Sequence, residues 1–141
     1  MNLADMFRHE TDLQALSADQ TLFKEGDHGD LMYVLISGTA EIIVHNRVVE
    51  TAEAGAIVGE MAMIDDGARS ATVVAKSDCR LFPIDRKRFN FLVQQTPNFA
   101  LYIMRVMADR LRKTDDYLRA VTCREDSSAK LSASSVDRDQ V

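Results

Sequence analysis

The spacing of hydrophobic residues changes character twice along the chain. The opening run, MNLADMFRHETDLQAL, places Leu3, Met6, Phe7, Leu13 and Leu16 at loosely helical intervals, so a helical segment is expected over residues 1–20. Residues 21–85 have a different texture. They carry short β-prone runs, TLFKEG, LMYVLISG, AEIIVH, VVETAEAG, SATVVA and CRLFPI, with Tyr33 an ordinary sheet residue in the second. Turn signals separate them at Gly26-Asp27, Gly29-Asp30, Gly38, His45-Asn46, Gly55 and Asp66-Gly67. Many short strands at this spacing describe a β-sandwich or barrel rather than alternating βαβ units.

After Pro83 the period becomes helical. Residues 86–94 fit one short helix. Thr96-Pro97-Asn98 opens a longer one, with Thr96 as the expected N-cap and Pro97 in the first turn. In that helix Met104, Met107, Leu111, Thr114, Leu118 and Val121 alternate at spacings of three and four. This is a coiled-coil-like seam with a polar residue in it, suited to packing on the β unit, to a two-fold homodimer, or to both. A buried Thr114 hydroxyl needs a partner. The expected helical region is 86–122. Residues 123–141 are polar, with too little apolar surface to offset the entropy of ordering, and are expected to be disordered.

Length and charge narrow the function classes. A chain of 141 residues has room for one domain around one core. With 17 basic and 22 acidic side chains the net charge is −5, which argues against direct nucleic-acid binding. Arg105, Arg110, Arg112 and Lys113 are interleaved with acids and read as a solvated helix face. Two cysteines, Cys79 and Cys123, make no disulfide framework, so a reducing, cytoplasmic setting is expected. No stretch reads as a signal peptide or a membrane span, and no membrane association is expected.

Candidate chemistry concentrates in VGEMAMIDDGARSATVVA, residues 58–75. Gly59 lets the backbone enter a helical turn at Glu60-Met61-Ala62, whose unpaired amides attract an anion. A loop, Asp65-Asp66-Gly67-Ala68, is long enough to swing Arg69 back over that turn. A guanidinium grips two phosphate oxygens at once, and the Ser70 hydroxyl adds a donor. Glu60 would repel a phosphate, so it suits a sugar hydroxyl or a cation. A single anion beside a hydroxyl-reading acid describes a nucleotide with one compact negative charge. No glycine-lysine-serine loop for a triphosphate is present in the sequence. The competing reading is a structural Glu60–Arg69 ion pair inside a jelly-roll interaction or dimerisation domain that binds no nucleotide.

An enzyme is not expected. His9, His28 and His45 lack paired metal-ligand spacing and fit exposed positions, which disfavours a cupin-like barrel enzyme and gives no metal site. Asp65 and Asp66 lie in a glycine-containing loop and read as solvated rather than catalytic. Ser70 has no histidine at a motif distance for a hydrolase. Met61, Met63, Met104 and Met107 read as core or seam residues.

The cassette resembles that of the cyclic nucleotide-binding domain family, and most of all the sensor half of bacterial catabolite-activator-type regulators. Its pattern of Gly-Glu, short helix, loop and Arg-Ser-Ala is met by Gly59-Glu60 and Arg69-Ser70-Ala71. Upstream, FKEGDHGDLMYVLISGTAEI, residues 23–42, is similar to the family's first strands, with Gly26 and Gly38 at the sharp turns. The likeness covers about residues 13–121.

The resemblance implies a mainly β jelly roll with flanking helices and a long C-terminal helix, binding a cyclic nucleotide and carrying no catalytic residues. It implies that Glu60 takes the ribose 2′-hydroxyl, that Arg69 and Ser70 hold the phosphate with backbone amides near Met61 and Ala62, and that Val58 and Gly59 line the sugar side. Serine after Arg69 favours cAMP, with cGMP the alternative. In those regulators a Thr-Ser pair on the long helix reads adenine; Thr114 matches the threonine, and Asp115 replaces the serine. The regulators continue into a helix-turn-helix domain, whereas the 20 residues after Val121 are too few for three packed helices. The chain is therefore expected to be an isolated sensor, or part of something longer, acting on an effector protein the sequence does not identify.

Overall fold

The computed structural model describes residues 2–129; the side chains of residues 117, 118 and 121–129 lie outside what it describes. The strands are β1 (Gln14–Leu16), β2 (Thr21–Phe23), β3 (Met32–Ser37), β4 (Ala40–Val44), β5 (Arg47–Ala52), β6 (Ile57–Val58), β7 (Thr72–Ala75) and β8 (Cys79–Ile84). They form two antiparallel sheets, one ordered β1-β8-β3-β6 and the other β2-β7-β4-β5. The expected mainly β jelly roll with flanking helices is what the chain forms.

Alternation builds the core between the sheets. Tyr33 and Leu35 from β3 and Cys79 and Leu81 from β8 meet Ala40 and Ile42 from β4 and Val73 and Ala75 from β7. Strand β3 is buried on its other face too, at Met32 and Val34, and β8 likewise at Phe82 and Ile84. Helix α1 (Leu3–Phe7) contacts β3 and buries Leu3, Ala4 and Phe7. The Phe7 ring stacks on Phe82 with centroids 4.6 Å apart. The Arg88 guanidinium lies 4.9 Å from the Phe82 ring centroid. Pro83 is tolerated in β8 because β1 pairs only with residues 79–81, so its missing N–H breaks no ladder.

The expected helix over residues 1–20 is much shorter. Asn2 caps it, accepting from the N–H groups of Ala4 and Asp5 at 3.1 and 3.3 Å, and it ends at Phe7. Leu16, read as a helical position, lies on β1 and is buried in the sheet core, while Met6 is exposed. Loose helical spacing over a short window cannot outweigh an available strand partner, here β8.

Helix α2 (Arg86–Gln95) starts at Asp85, whose carboxylate accepts from the Arg88 N–H at 2.8 Å. Thr96 ends α2, its N–H donating to the Leu92 carbonyl at 2.8 Å, and Pro97 begins α3 (Pro97–Ala129). The expected N-cap is thus shared with a C-cap. The α3 helix runs past the expected limit at 122, so residues 123–129 are helical, and residues 130–141 of the expected disordered tail lie outside the described residues.

The β unit extends to Phe99, and α3 from Ala100 belongs to a second unit. On α3, Met104 is 61% and Leu111 71% exposed, and Thr114 is exposed while Met107 is half-buried. Leu118 and Val121 fall among the side chains outside the described set. The acids beside this seam are paired along the helix, Asp109 with Lys113 at 3.4 Å and Asp115 with Arg119 at 3.3 Å.

Phe82 is fully buried between Phe7 and Arg88. Phe82→Ala is therefore expected to lower the unfolding free energy by about 3–5 kcal/mol, read from urea denaturation midpoints.

Candidate functional site

The β6 strand is a buried Ile57–Val58 pair held by Val34 and Tyr33 of β3. It ends at Gly59, whose φ of 76° lies in the left-handed region. A Cβ there would also sit 2.7 Å from the Arg69 Nη1 and 3.1 Å from the Leu31 carbonyl. Glycine is thus required twice, by dihedral and by space. A single 3₁₀ turn, Glu60–Met63, follows, with Glu60, Ala62 and Met63 buried and Met61 exposed. The Ala62 N–H donates to the Gly59 carbonyl at 3.1 Å, closing the turn. An anion at that amide would compete with this bond.

Arg69 precedes β7, which belongs to the opposite sheet from β6. Its backbone is fixed in both directions: its N–H donates to the Asp27 carbonyl at 2.7 Å and its carbonyl accepts from the Gly26 N–H at 2.9 Å. Its side chain turns inward and is only 9% exposed. Nη1 lies 3.5 Å from the Gly59 carbonyl, the outer limit of a hydrogen bond, so the guanidinium spans the end of one sheet to the end of the other. Cζ stands 4.0 Å from the Phe23 ring centroid. Gly29 leaves room for Nε, Cζ and Nη2, which a Cβ would strike.

This is an unusual setting for a guanidinium. Burial pushes the Arg69 pKa down, and nearby Tyr33, Asp30 and Asp27 act in the opposite direction. Burial raises the Tyr33 hydroxyl, with Arg69 opposing and Asp30 adding to the shift. Among the described residues Nε of Arg69 is a buried donor without a hydrogen-bond partner, a defect costing about 1–3 kcal/mol. A buried, incompletely satisfied cation at a sheet end has donor capacity that an acceptor oxygen would meet.

The structure therefore brings Val58, Gly59, Glu60, Ala62 and Arg69 together at one end of the roll. Met61 and Ser70 are exposed beside them, and Ala71 packs against the sheet core. Thr114 lies on α3 in the other unit. Asp65 and Asp66 have local tasks: Asp65 accepts from the Gly67 N–H at 3.0 Å, and Asp66 pairs with Arg86 at 3.3 Å. His9 and His28 are exposed, and His45 faces Glu25 at 3.4 Å. Among the described residues no group of three His, Cys, Asp or Glu side chains could hold a metal ion, and no helix is long and apolar enough to cross a membrane.

Sequence reading missed four participants. Phe23, Gly29 and Asp30 stand in the FKEGDHGD run, which reads only as a strand end and turns. Arg86 gives no local signal. Its Nη2 donates to the Ala62 carbonyl at 2.9 Å, tying the end of the 3₁₀ turn to the start of α2.

Residues 13–96 match the sequence model of the cyclic nucleotide-binding domain. A cGMP-dependent protein kinase of Plasmodium berghei is 30% identical over 104 residues, covering 73% of this chain and 12% of the kinase. A cyclic AMP receptor protein of Thermus thermophilus is 31% identical over 99 residues, covering 67% of this chain and 46% of that protein. The crystal structure of the Thermus thermophilus catabolite activator protein superposes with a TM-score of 0.71 at 27% identity, covering 85% of this chain and 57% of that one. The chain thus spans less than half the length of either of these two relatives.

A side chain kept for binding rather than for stability gives a distinct signature. Arg69→Met keeps length and removes both the desolvated charge and the orphaned donor. Its unfolding free energy in urea is expected to stay within about 1 kcal/mol of wild type or to rise. A loss above about 3 kcal/mol would instead mark Arg69 as a fold-anchoring ion-pair partner.

Proposed function

The chain belongs to the cyclic nucleotide-binding domain family, and on that premise we propose that it is a non-catalytic cAMP sensor whose cassette reports to its C-terminal helix. The observation that carries this reading is the buried Arg69 guanidinium, with an unmet donor, beside the Gly59-Glu60 turn. Arg69 takes the exocyclic phosphate oxygens, aided by the exposed Ser70 hydroxyl and the Met61 amide; the Ala62 amide joins by sharing its turn bond. Glu60 accepts from the ribose 2′-hydroxyl, and Val58 and Gly59 form the sugar wall. The alternative ligand is cGMP.

Signal transfer follows from the contacts of the cassette. A ligand shifts only an equilibrium whose two states it contacts differently. The phosphate binds at the start of the 3₁₀ turn, and Arg86 grips the end of that turn from α2. A change in the turn therefore reaches α2 and, through Thr96, the start of α3. The exposed Leu101, Met104 and Leu111 on α3 favour self-association of this helix or its use by an effector protein. The free, buried Cys79 supports a reducing, cytoplasmic setting.

Titration calorimetry with cAMP and cGMP tests the reading directly. Binding in the micromolar range or tighter is expected, with cAMP preferred. Arg69→Ala is expected to weaken it by about 1.5–3 kcal/mol, the worth of a hydrogen bond to a charged group. Absence of both heat and thermal shift at millimolar nucleotide would overturn the proposal. Light scattering should show a larger particle than a monomer, and Leu111→Glu should reduce it to one.

A further inference from the structure

Arg69 lies on an aromatic surface, and nothing in the cassette motif itself calls for one. The Phe23 ring faces the guanidinium at 4.0 Å from centroid to Cζ. Phe23 is in turn stacked on Tyr33, centroids 6.2 Å apart at 30°, and Tyr33 is buried in the sheet core. The platform is therefore anchored. A register shift between Thr21 and Phe23 where β2 pairs with β7 explains its placement. In a regular strand Leu22 and Phe23 would face opposite sides, yet both pack against the same core cluster.

The geometry around the guanidinium is a slot. Phe23 covers one face, Gly59 leaves space at Nη1, and Gly29 leaves space at Nε, Cζ and Nη2. A guanidinium stacked on a ring keeps its in-plane N–H edge available for oxygens, which an ammonium on a flexible stem cannot do. The ring also excludes water from that face. Binding an anion then costs little further ordering of a long side chain.

We propose that Phe23 is a positioning residue for Arg69: with Gly29 it forms a slot that dehydrates and orients the guanidinium for the phosphate of a cyclic nucleotide. This rests on the reading of Arg69 as the phosphate ligand. Phe23 acts through Arg69 and makes no claim on the nucleotide itself. Gly29 has an ordinary φ and lies in an exposed loop, so alanine there disturbs the slot without straining the backbone.

The test is a double-mutant cycle by calorimetry with cAMP, each variant first checked for a cooperative thermal melt. Phe23→Leu is expected to weaken binding about 3- to 30-fold, and Phe23→Tyr, which keeps the ring, to stay within about twofold of wild type. Gly29→Ala is expected to weaken binding at least as much as Phe23→Leu. In an Arg69→Ala background, Phe23→Leu should change affinity by less than about twofold, because its partner is gone. A purely structural role would give the same loss in both backgrounds. Wild-type protein that binds no cyclic nucleotide would overturn both this inference and the function it rests on. Binding that Arg69→Ala weakens but Phe23→Leu leaves unchanged, or a loss independent of Arg69, would overturn the positioning role alone. If Phe23→Leu fails to melt cooperatively, Phe23→Tyr and Gly29→Ala decide: wild-type affinity in Gly29→Ala, or a Phe23→Tyr loss beyond fivefold, overturns the slot.

Discussion

A guanidinium taken out of water at the end of a β-roll constrains what surrounds it. Arg69 is charged at any accessible pH, so its burial needs partners, space and a fixed backbone. The backbone is fixed by paired hydrogen bonds to Gly26 and Asp27, the space by the missing side chains of Gly29 and Gly59, and the partners are incomplete. Neighbouring Asp30 and Asp27 favour the charge, while burial opposes it more strongly. A stable fold gains little from such a group, whereas an anion site gains an oriented cation in a low-dielectric setting.

The remainder of the β unit serves to hold the two ends of the cassette in register. Val58 is pinned to Tyr33 in one sheet, and Arg69 leads into β7 in the other. The inter-sheet core fixes the distance between them. Helix α1 seals the outer face of β3 and β8, and the Phe7–Phe82–Arg88 stack joins α1, β8 and α2 in one layer. The 3₁₀ turn is the short element between these fixed ends. It is one turn long, the carbonyl of its cap Gly59 faces Arg69, and its Ala62 carbonyl is held by Arg86. Short elements with few internal hydrogen bonds are where local rearrangement is least costly. Contacts at both ends of such a turn tie its position to Arg69 on one side and to the start of α2 on the other.

Much of this was legible in the residues alone. Short β-prone runs between glycine and asparagine turns marked β2, β3, β4, β5, β7 and β8, and the change of period after Pro83 marked α2 and α3; β6, only Ile57–Val58, is too short to stand out as a run. The Gly59-Glu60 and Arg69-Ser70-Ala71 pairs marked the cassette, because those residue types at that separation suit one anion and one hydroxyl. These signals are local: they depend on dihedral preference, alternation and side-chain chemistry, all carried by neighbouring positions. The N-terminal segment shows the limit. Leu16 has the same hydrophobicity in a helix or a strand, and only the free edge of β8 decided between them.

What tertiary structure decided is everything that requires two distant segments to share space. The value of Gly29 lies in an arginine 40 positions away, and that of Phe23 in a ring face presented by a register shift. Arg86 opens a helix by its position, yet its side chain belongs to the turn at Ala62. A sequence specifies which residues can hold a phosphate. Whether the guanidinium that would do so is solvated and mobile, or dehydrated and aimed, depends on burial. Burial exists only once both sheets have closed around it.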